Sequence, residues 1–445
     1  MNKVLIANRG EIALRIVRAC REFGVPSVAV YSDADEAALH VRRADEAVNI
    51  GPPPAGKSYL NIDAILAAAK ETNADAIHPG YGFLAENARF AAACRDAGIT
   101  FVGPSAEAIE KLGDKAAARR LAKEADVPVV PGSDGVASPE EAVEAAERIG
   151  YPVMIKASAG GGGRGIRVAA NEEELKRSVK EAKREAEAAF GDGSLYLEKF
   201  LENPRHVEVQ IMADHHGNAI HLHERECSMQ RKRQKILEEA PSPGISEGTR
   251  ANMCEAAIRL TEEAEYTNAG TIEFLVDGDE FYFIEMNTRI QVEHPVTEML
   301  IGVDLVKEQL RVASGEPLNV TQENILANGH AIEFRINAED PDMDFLPSPG
   351  EISALEVPGG PGVRVDSALY AGYKIPPFYD SLIGKLIVWG VDREEAINRS
   401  RRALCEYDIE GIKTTIPLHL CLLEEEAFRS GEYDTGYLER LLGEG

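Results

Sequence analysis

Glu273, Glu285 and Asn287 carry oxygen atoms of the kind that bind a divalent cation, and the sequence around them has the pattern of a β-hairpin. The two strands are predicted at 271–276 and 281–287, with a glycine-containing turn between them. Glu285 and Asn287 are two residues apart and therefore face the same side of the second strand. Two carboxylates and an amide oxygen are hard ligands that suit Mg²⁺, which keeps its other positions for water and for substrate phosphates.

The pairing register of this hairpin decides whether both glutamates share one site. A register centred on Asp279 places Glu273 directly opposite Glu285, and it requires a loop with an odd number of residues. Two unpaired like charges about 4 Å apart repel by roughly 4 kcal/mol at an effective dielectric constant of 20. Folding alone gives no reason to place them together, whereas a bound cation does. We therefore predict an odd-length loop and a metal site.

Polar side chains continue beyond the hairpin. Arg289, Gln291 and Glu293 alternate with Ile290 and Val292, and they would line one wall if the chain stays extended. A half-exposed strand with polar residues toward water is the alternative interpretation. Continuity with the metal pair favours an anion site that contains a guanidinium and an amide, with a carboxylate beside them as a base.

A run of glycines at 160–165 (GGGGRG) lies between two strand-like segments, 151–156 and 166–169. It formally contains GxGxxG, but a dinucleotide-binding loop must open a helix, and this run does not. A glycine-rich turn between strands suits a flap whose backbone N–H groups close over phosphate oxygens, with Lys156 at its root. A mobile surface hairpin is the alternative, although four glycines cost ordering entropy that an ordinary turn avoids. The charged helix predicted at 172–189 would complete a small lid.

The elements that must position these groups begin with alternating strands and helices. Strands are predicted at 3–8, 27–31, 76–77 and 100–102, and helices at 11–23, 62–70 and 88–97. This order indicates a parallel sheet with crossover helices, in a first lobe that ends near Gly113. The first strand leads into Asn8-Arg9-Gly10-Glu11, which has one glycine where a dinucleotide fingerprint needs three, so NAD binding is not expected.

Composition and charge limit the class of protein. The 445 residues indicate two or three packed lobes, and 44% hydrophobic with 28% charged residues is typical of globular proteins. A net charge of −27 disfavours nucleic acid and anionic membranes as partners, so anionic substrates would need local cations such as the run 231–235. A solvated basic patch is the alternative for that run. The six cysteines lack CxxC spacing, and we find neither a signal segment nor a stretch of transmembrane length, so we expect a cytoplasmic protein.

Several long motifs, in order, closely resemble the biotin carboxylases of the ATP-grasp superfamily. They are IANRGEIA at 6–13, HPGYGF at 78–83, the glycine run, 229–240, FIEMNTRIQVEHPVTE at 283–298, EFRINAED at 333–340, FLPSPG at 345–350 and YDSLIGK at 379–385. The resemblance covers essentially the whole chain. It implies an ATP-grasp fold of the α/β and α+β classes. Its parts would be an N-terminal Rossmann-like parallel-sheet domain at 1–113, an ATP-grasp domain at 114–314 that includes a small mobile lid at about 131–200, and a C-terminal mixed α+β domain at 315–445.

The resemblance also implies roles for individual residues. ATP would be bound by Lys115, Lys156, Gly162, Gly163, His206, Gln230 and the hinge of Glu198, Lys199, Phe200 and Leu201. The ligands of Mg²⁺ or Mn²⁺ would be Glu273, Glu285 and Asn287, in agreement with the hairpin pattern. Bicarbonate would be bound by Lys235, Arg289, Gln291 and the amide of Val292, with Glu293 as the base. The biotin ureido group would lie beside Arg335, flanked by Tyr81 and Gly82.

The implied reaction begins when Glu293 takes the bicarbonate proton and a bicarbonate oxygen attacks the γ-phosphate, which gives carboxyphosphate and ADP. Carboxyphosphate then breaks to CO₂ and phosphate, the phosphate removes the biotin N1′ proton, and Arg335 stabilises the enolate-like oxygen. Two positions depart from the family pattern. Arg233 stands where many members carry a histidine near the ribose, and Ala159 stands where a further glycine often precedes the flap.

The implied partners are a separate biotin carboxyl carrier protein and carboxyltransferase subunits, because no Met-Lys-Met-type context of a biotin-accepting lysine occurs in the sequence. The resemblance also implies a homodimer and, as parent enzyme, the acetyl-CoA carboxylase of fatty acid biosynthesis, with a pyruvate or propionyl-CoA carboxylase as the alternative. Another ATP-grasp carboxylate ligase is a second hypothesis, but it would lack the set of Arg289, Gln291, Glu293 and Arg335. A regulatory nucleotide-binding subunit is a third, which the intact Glu293 and metal ligands argue against.

Overall fold

The computed structural model describes all residues except 134, 137, 158–166, 191–192 and 444–445. The N-terminal part alternates strands and helices: β1 (Val4–Ile6), α1 (Gly10–Phe23), β2 (Ser27–Tyr31), α2 (Leu39–Arg43), β3 (Glu46–Asn49), α3 (Ile62–Thr72), β4 (Ala76–His78), α4 (Ala88–Asp96), β5 (Thr100–Phe101), α5 (Ala106–Gly113) and α6 (Lys115–Glu124). The five strands form a parallel sheet in the order β3-β2-β1-β4-β5.

This sheet confirms the predicted strand and helix alternation. The central strand β1 reads Val4-Leu5-Ile6, is fully buried, and pairs with β2 on one side and β4 on the other. A strand covered on both faces needs such a continuous apolar run. The edge strand β3 was not predicted, because its residues are mostly exposed and carry no apolar pattern.

A small second unit follows α6. It consists of α7 (Pro139–Ile149), β6 (Val153–Ala157), β7 (Arg167–Ala169), α8 (Glu172–Phe190) and β8 (Leu195–Lys199). Its three strands form an antiparallel sheet in the order β7-β6-β8, and Val153, Ile155 and Leu175 lie in its own apolar core. The strands on either side of the glycine run pair with each other, as the flap hypothesis requires, while the run itself, with Gly162 and Gly163, lies outside the described residues.

The rest of the chain is built on one large sheet. The elements up to residue 313 are β9 (Arg205–Ala213), β10 (Ala219–Glu226), β11 (Gln230–Arg231), β12 (Gln234–Lys235), β13 (Leu237–Ala240), α9 (Glu247–Glu263), β14 (Asn268–Asp277), β15 (Glu280–Asn287), α10 (His294–Ile301) and α11 (Leu305–Ala313). Those beyond it are β16 (His330–Asn337), β17 (Glu339–Asp340), β18 (Leu346–Pro347), β19 (Leu355–Glu356), β20 (Val363–Ser367), β21 (Leu382–Gly390), α12 (Arg393–Glu406), β22 (Asp408–Ile409), α13 (Ile416–Leu422), α14 (Glu426–Ser430) and α15 (Tyr437–Leu441). None of the helices in the described part of the chain is long and apolar enough to cross a membrane.

The large sheet is antiparallel throughout and has the strand order β15-β14-β9-β10-β13-β16-β21-β20. It continues across the predicted domain boundary near residue 314, because β13 pairs directly with β16. Side chains from both sides of that boundary can therefore meet on one face of the sheet, and the candidate site lies where they do. The division into domains stays a prediction.

Candidate active site

The hairpin of β14 and β15 places Glu273 directly opposite Glu285, as the register analysis predicted. The predicted odd-length loop is wrong. Asp277 pairs with Glu280, so the turn contains two residues, and it begins at Gly278 with a φ of 62°. A positive φ at the first turn residue is the conformation that favours glycine in tight hairpins.

A β-bulge restores the pairing that a two-residue turn alone would have destroyed. Phe274 pairs with Phe283, whereas the next residue, Glu273, pairs with Glu285, so Ile284 is the extra residue on β15. The side chain of Ile284 is 37% exposed. The shift brings Glu285 back to the side on which Glu273 lies.

Glu273 is buried among groups that stabilise its charge. Its oxygens lie 3.1 Å from Lys235 Nζ, 2.9 Å from Asn287 Nδ2, 3.2 Å from Gln291 Nε2 and 3.0 Å from His206 Nε2. Burial favours the neutral acid, but Lys235 and His206 outweigh it and hold the pKa of Glu273 well below its usual range. Glu273 is therefore an ionised carboxylate.

Glu285 is the other half of the pair, and its side chain is 41% exposed. Burial and the neighbouring charge of Glu273 raise its pKa, which is the electrostatic signature of two carboxylates that lack a cation between them. Lys115 Nζ, at the first residue of α6, lies 3.9 Å from Glu285. A divalent cation would relieve this repulsion, so the donor set fits Mg²⁺ or Mn²⁺.

Asn287 joins the carboxylate pair to the anion wall. Its Nδ2 donates to Glu273, and its Oδ1 accepts a hydrogen bond of 3.0 Å from Arg289 Nη2. A 180° rotation of the amide would turn its oxygen toward Glu273, as a metal ligand there requires. The three residues predicted as metal ligands are thus adjacent.

The expectation that the chain stays extended after the hairpin is wrong. β15 ends at Asn287, residues 288–293 form a turn, and α10 begins at His294 with Pro295 in its first turn. Proline fits the first turn of a helix and cannot donate to a strand ladder, which explains the change. Glu293 is the N-cap residue of α10, and it reaches the site from there.

Glu293 lies at the centre of the site and is fully buried. Lys235 Nζ lies 2.6 Å from one of its oxygens, and Arg335 Nη2 lies 3.0 Å from the other. Burial opposes ionisation, but Lys235, Arg335 and the nearby Arg225 hold the pKa of Glu293 well below its usual range. The site therefore contains an ionised carboxylate that can accept a proton.

Lys235 links Glu293 to the carboxylate pair. It lies in the short hairpin of β11 and β12, where it pairs with Gln230. The two turn residues, Lys232 and Arg233, both have positive φ values, of 48° and 66°. Such values cost about 1–2 kcal/mol for a residue with a Cβ, and strain of this kind tends to occur near functional sites. Arg233 is exposed at the tip of this turn.

Glu208 is a residue of the site that sequence reasoning missed. It is fully buried in β9, accepts from Lys235 at 2.7 Å and is bound by Arg225 Nε at 2.6 Å. Arg225 is fully buried as well, and its charge balances Glu208. A carboxylate between Val207 and Val209 in an apolar strand was the available signal.

Arg289 is held by three side chains. Its Nε lies 2.9 Å from Glu86, its Nη1 lies 2.9 Å from Gln291 Oε1, and its Nη2 contacts Asn287. Glu86 also accepts from the backbone N–H of Thr288 at 3.1 Å. Sequence reasoning missed Glu86 because it lies in a loop before α4, where no periodic pattern marks it.

Arg335, in β16, lies on the opposite side of Glu293 from Lys235 and donates to Glu238 from Nε at 2.7 Å. Close by, the hydroxyl of Tyr81 donates to Glu11. Lys385 lies 3.3 Å from that same carboxylate, and its Nζ donates to the Val292 carbonyl at 2.7 Å. The N-terminal part of the chain therefore contributes to the site.

The loop that carries Tyr81 and Gly82 is fixed from β1. Asn8, just after that strand, donates from Nδ2 to the carbonyls of Pro79 and Tyr81 at 2.7 Å each. Gly82 has a φ of 68°, and a Cβ built on it would meet open space. The backbone here is thus open to a ligand that approaches from outside.

The remaining residues predicted to bind ATP form a separate cluster among the described residues. Glu198 is held by Lys156 and, at 2.7 Å, by Arg119, which sequence reasoning missed. The backbone N–H groups of Lys199 and Phe200 donate to Pro131 and Pro152. Leu201 packs with Val130 and Tyr282 in a small apolar cluster that suits the face of a planar ring.

Comparison with known proteins agrees with this architecture. Three family models match: "Biotin carboxylase, N-terminal domain" at residues 1–109, "Carbamoyl-phosphate synthase L chain, ATP binding domain" at 114–321 and "Biotin carboxylase C-terminal domain" at 333–440. Biotin carboxylase 1 of Bacillus subtilis is 59% identical over 442 residues, which are 99% of this chain and 98% of that protein.

Two solved structures show the same fold. The biotin carboxylase subunit of a pyruvate carboxylase has a TM-score of 0.90 and 54% identity, over 99% of this chain and 98% of that one. The biotin carboxylase domain of Hydrogenobacter thermophilus 2-oxoglutarate carboxylase, a dimer in complex with MgADP, ADP and bicarbonate, has a TM-score of 0.88 and 53% identity, over 99% of this chain and 97% of that one. The predicted fold class, which combines an N-terminal parallel sheet with mixed α/β and antiparallel parts, is confirmed.

Proposed function

Since this chain belongs to the biotin carboxylases, a family of ATP-dependent ligases, we propose that it carboxylates biotin with bicarbonate and MgATP through carboxyphosphate. The observation that carries the proposal is the environment of Glu293. An ionised, buried carboxylate lies between two cations, Lys235 and Arg335, and Lys235 also contacts Glu273 of the carboxylate pair. A base, anion ligands and a candidate metal site are thus within one connected network.

The first step assigned to these residues is the activation of bicarbonate. Arg289 and Lys235 would bind the anion with its hydroxyl toward Glu293, the base. The low pKa of Glu293 keeps the carboxylate ionised at neutral pH. A bound anion would compete for Lys235 and would add negative charge beside Glu293, which raises the proton affinity of the carboxylate when the proton must move.

The second step is transfer of the γ-phosphoryl group to bicarbonate. Mg²⁺ or Mn²⁺ at Glu273, Glu285 and Asn287 would offset the charge that develops on the phosphates. Lys115 and Lys156 are proposed to bind phosphate oxygens, with Gly162 and Gly163 of the flap. Glu198, Lys199, Phe200, Leu201, His206 and Gln230 are proposed to bind the rest of the nucleotide.

Biotin carboxylation would take place on the Arg335 side of Glu293. The guanidinium of Arg335 would stabilise the oxygen of the deprotonated ureido group, with Tyr81 and Gly82 on either side of the ring. Phosphate released from carboxyphosphate would take the N1′ proton. Because Arg335 already bonds to Glu293 and Glu238, it is positioned without biotin.

We further propose that the biotin belongs to a separate carrier protein, since the 445 residues contain no Met-Lys-Met-type biotinylation context. Carboxyltransferase subunits would then complete the enzyme. Acetyl-CoA carboxylase is the preferred parent, and a multi-subunit pyruvate or propionyl-CoA carboxylase is the alternative, which the similarity to the biotin carboxylase subunit of a pyruvate carboxylase supports. A homodimer is supported by the dimeric Hydrogenobacter structure. A cytoplasmic location is supported by the six unpaired cysteines.

Bicarbonate-dependent ADP release, measured with and without free biotin, tests the proposal. The wild-type protein should release ADP only with bicarbonate, and biotin should stimulate the rate. Glu293→Gln should lower the rate by at least about 100-fold and retain ATP binding, because the amide cannot accept the proton. Glu308→Gln, at a buried glutamate outside the site, is the matched control. A wild-type rate that biotin does not change would count against the proposal.

A further inference from the structure

Behind Arg335 lies a second pair of carboxyl groups, Glu238 and Glu333. Glu238 is in β13 and Glu333 is in β16, and the two pair directly across the antiparallel ladder, so both side chains face the same side of the sheet. Both residues are fully buried. The proposed reaction gives Glu333 no role.

Three of the four oxygens of this pair have no hydrogen-bond partner among the described residues. They are Oε2 of Glu238 and both oxygens of Glu333, whereas Oε1 of Glu238 accepts from Arg335. A buried carboxylate without a partner is very costly, so a group in this position takes up a proton instead. The simplest state that satisfies both residues has one proton between them.

The charged groups around the pair agree with this state. Those that face it are Arg335, Lys385, Lys235 and Glu293. Burial raises the pKa of Glu238 to about 7 against the opposing effect of Arg335, and burial also raises the pKa of Glu333, well above its usual value. Glu333 thus carries the proton, and Glu238 is the carboxylate that Arg335 binds.

This arrangement matters when Arg335 acts on biotin. Arg335 Nη2 lies 3.0 Å from Glu293, and Nε lies 2.7 Å from Glu238. To stabilise the ureido oxygen, the guanidinium must direct donors away from one of these carboxylates. Leaving Glu238 buried and ionised without a partner would oppose that movement.

We propose that Glu333 is a positioning residue for biotin carboxylation, whose proton bonds to Glu238 when Arg335 turns from Glu238 to the ureido oxygen of biotin. The inference rests on the proposed function and deepens it. The proton stays within the pair, which keeps a charge of −1 throughout, so no proton enters or leaves the active site in this step. The positive charge of Arg335 then becomes available to the enolate-like oxygen.

The test compares Glu333→Met, which keeps the length of the side chain without a donor, with Glu333→Gln, which keeps an N–H donor. The readout is the ratio of biotin-stimulated to biotin-independent ADP release, with free biotin as the probe. Glu333→Met should lower this ratio about tenfold, and Glu333→Gln should lower it less than about threefold. Ile332→Val, on the same strand, is the control for a change in packing and should retain the ratio.

A second measurement keeps the inference testable if Glu333→Met does not fold. As the pH rises, Glu333 loses its proton, so the wild-type ratio should fall on the alkaline side. Glu333→Gln cannot lose a proton there, and its ratio should persist to higher pH. Coincident alkaline limbs, or equal losses in the Met and Gln variants, would overturn the inference. Wild-type protein without any biotin stimulation would instead refute the proposed function itself.

A double-mutant cycle with Glu238→Gln separates a specific role from a general one. In the Glu238→Gln background no carboxylate needs the proton, so Glu333→Met should lower the ratio less than about twofold. The same tenfold loss in both backgrounds would mean that Glu333 acts independently of Glu238, which contradicts the inference.

Discussion

At the scale of single residues, Glu285 determines how the carboxylate pair responds to pH. Its pKa is raised by burial and by Glu273, so protons compete with a divalent cation for this oxygen. Cation affinity should therefore increase as the pH rises through the pKa of Glu285. Glu285→Gln should weaken Mn²⁺ binding about tenfold or more and remove this pH dependence, as measured by Mn²⁺ paramagnetic resonance.

Glu280→Gln is the matched control for that experiment, since Glu280 begins the same strand and is exposed. It should bind Mn²⁺ like the wild type. Equal Mn²⁺ affinity in the Glu285 and Glu280 variants would show that the pair is not a metal site.

Glu86 belongs to the same scale because it orients one guanidinium. It contacts Arg289 Nε and the backbone of Thr288, so it fixes the turn as well as the side chain. Glu86→Gln should raise the KM for bicarbonate by about 3–10-fold, since Arg289 loses its charged partner. Steady-state kinetics with varied bicarbonate measure this. An unchanged or lower KM would mean that Arg289 is positioned by Gln291 and Asn287 alone.

At the scale of elements, Glu239 ties β13 to α12. This buried carboxylate lies 2.6 Å from His330 Nε2 and 2.7 Å from Arg393 Nε. Burial opposes its charge, but His330 and Arg393 lower its pKa from 4.5 to about 2. A lowered pKa contributes stability above the unfolded value, and this contribution is lost as the pH falls from about 4.5 toward 2.

Glu239→Gln should therefore destabilise the protein most at neutral pH, by up to about 3 kcal/mol. The difference from wild type in the free energy of unfolding should shrink as the pH falls through this range, because wild-type Glu239 becomes protonated too. Urea unfolding at several pH values measures it. A constant difference at all pH values would show that packing, not charge, explains the loss.

The β14–β15 hairpin shows what a pattern predicts at this scale and what it does not. Strand alternation and the turn glycine predicted both strands and the pairing of Glu273 with Glu285, but the loop length was wrong. The extra residue is Ile284 in the bulge, and nothing distinguishes it in sequence from the apolar residues beside it. Bulges depend on twist and on neighbouring strands, which are tertiary features.

At the scale of the whole molecule, the eight-stranded sheet explains which site residues the sequence could indicate. The metal and base residues occur in one segment, 273–293, so their spacing alone suggested a shared site. Glu208 and Glu333 reach it from strands that are far away in sequence and meet only when β9 and β16 join the sheet. Their pairing with Lys235 and Glu238 depends on topology, which local patterns do not contain.

The large negative charge also has a meaning only at this scale. The chain carries −27 overall, yet the site collects Lys235, Arg289 and Arg335 around one carboxylate. Since the general field decays over a Debye length of about 8 Å at physiological salt, these local cations govern anion binding. The sequence predicted that such a cluster must exist, and the structure places it beside Glu293.

The central claim is that bicarbonate, activated at Glu293, attacks the γ-phosphate of ATP. The most direct test follows ¹⁸O from labelled bicarbonate during ATP cleavage by the wild-type protein, with the phosphate analysed by mass spectrometry. Attack by a bicarbonate oxygen predicts one ¹⁸O atom in each phosphate released, because that oxygen stays on phosphorus when carboxyphosphate breaks to CO₂. Phosphate without ¹⁸O from bicarbonate would mean that water attacks ATP directly, and it would contradict the account.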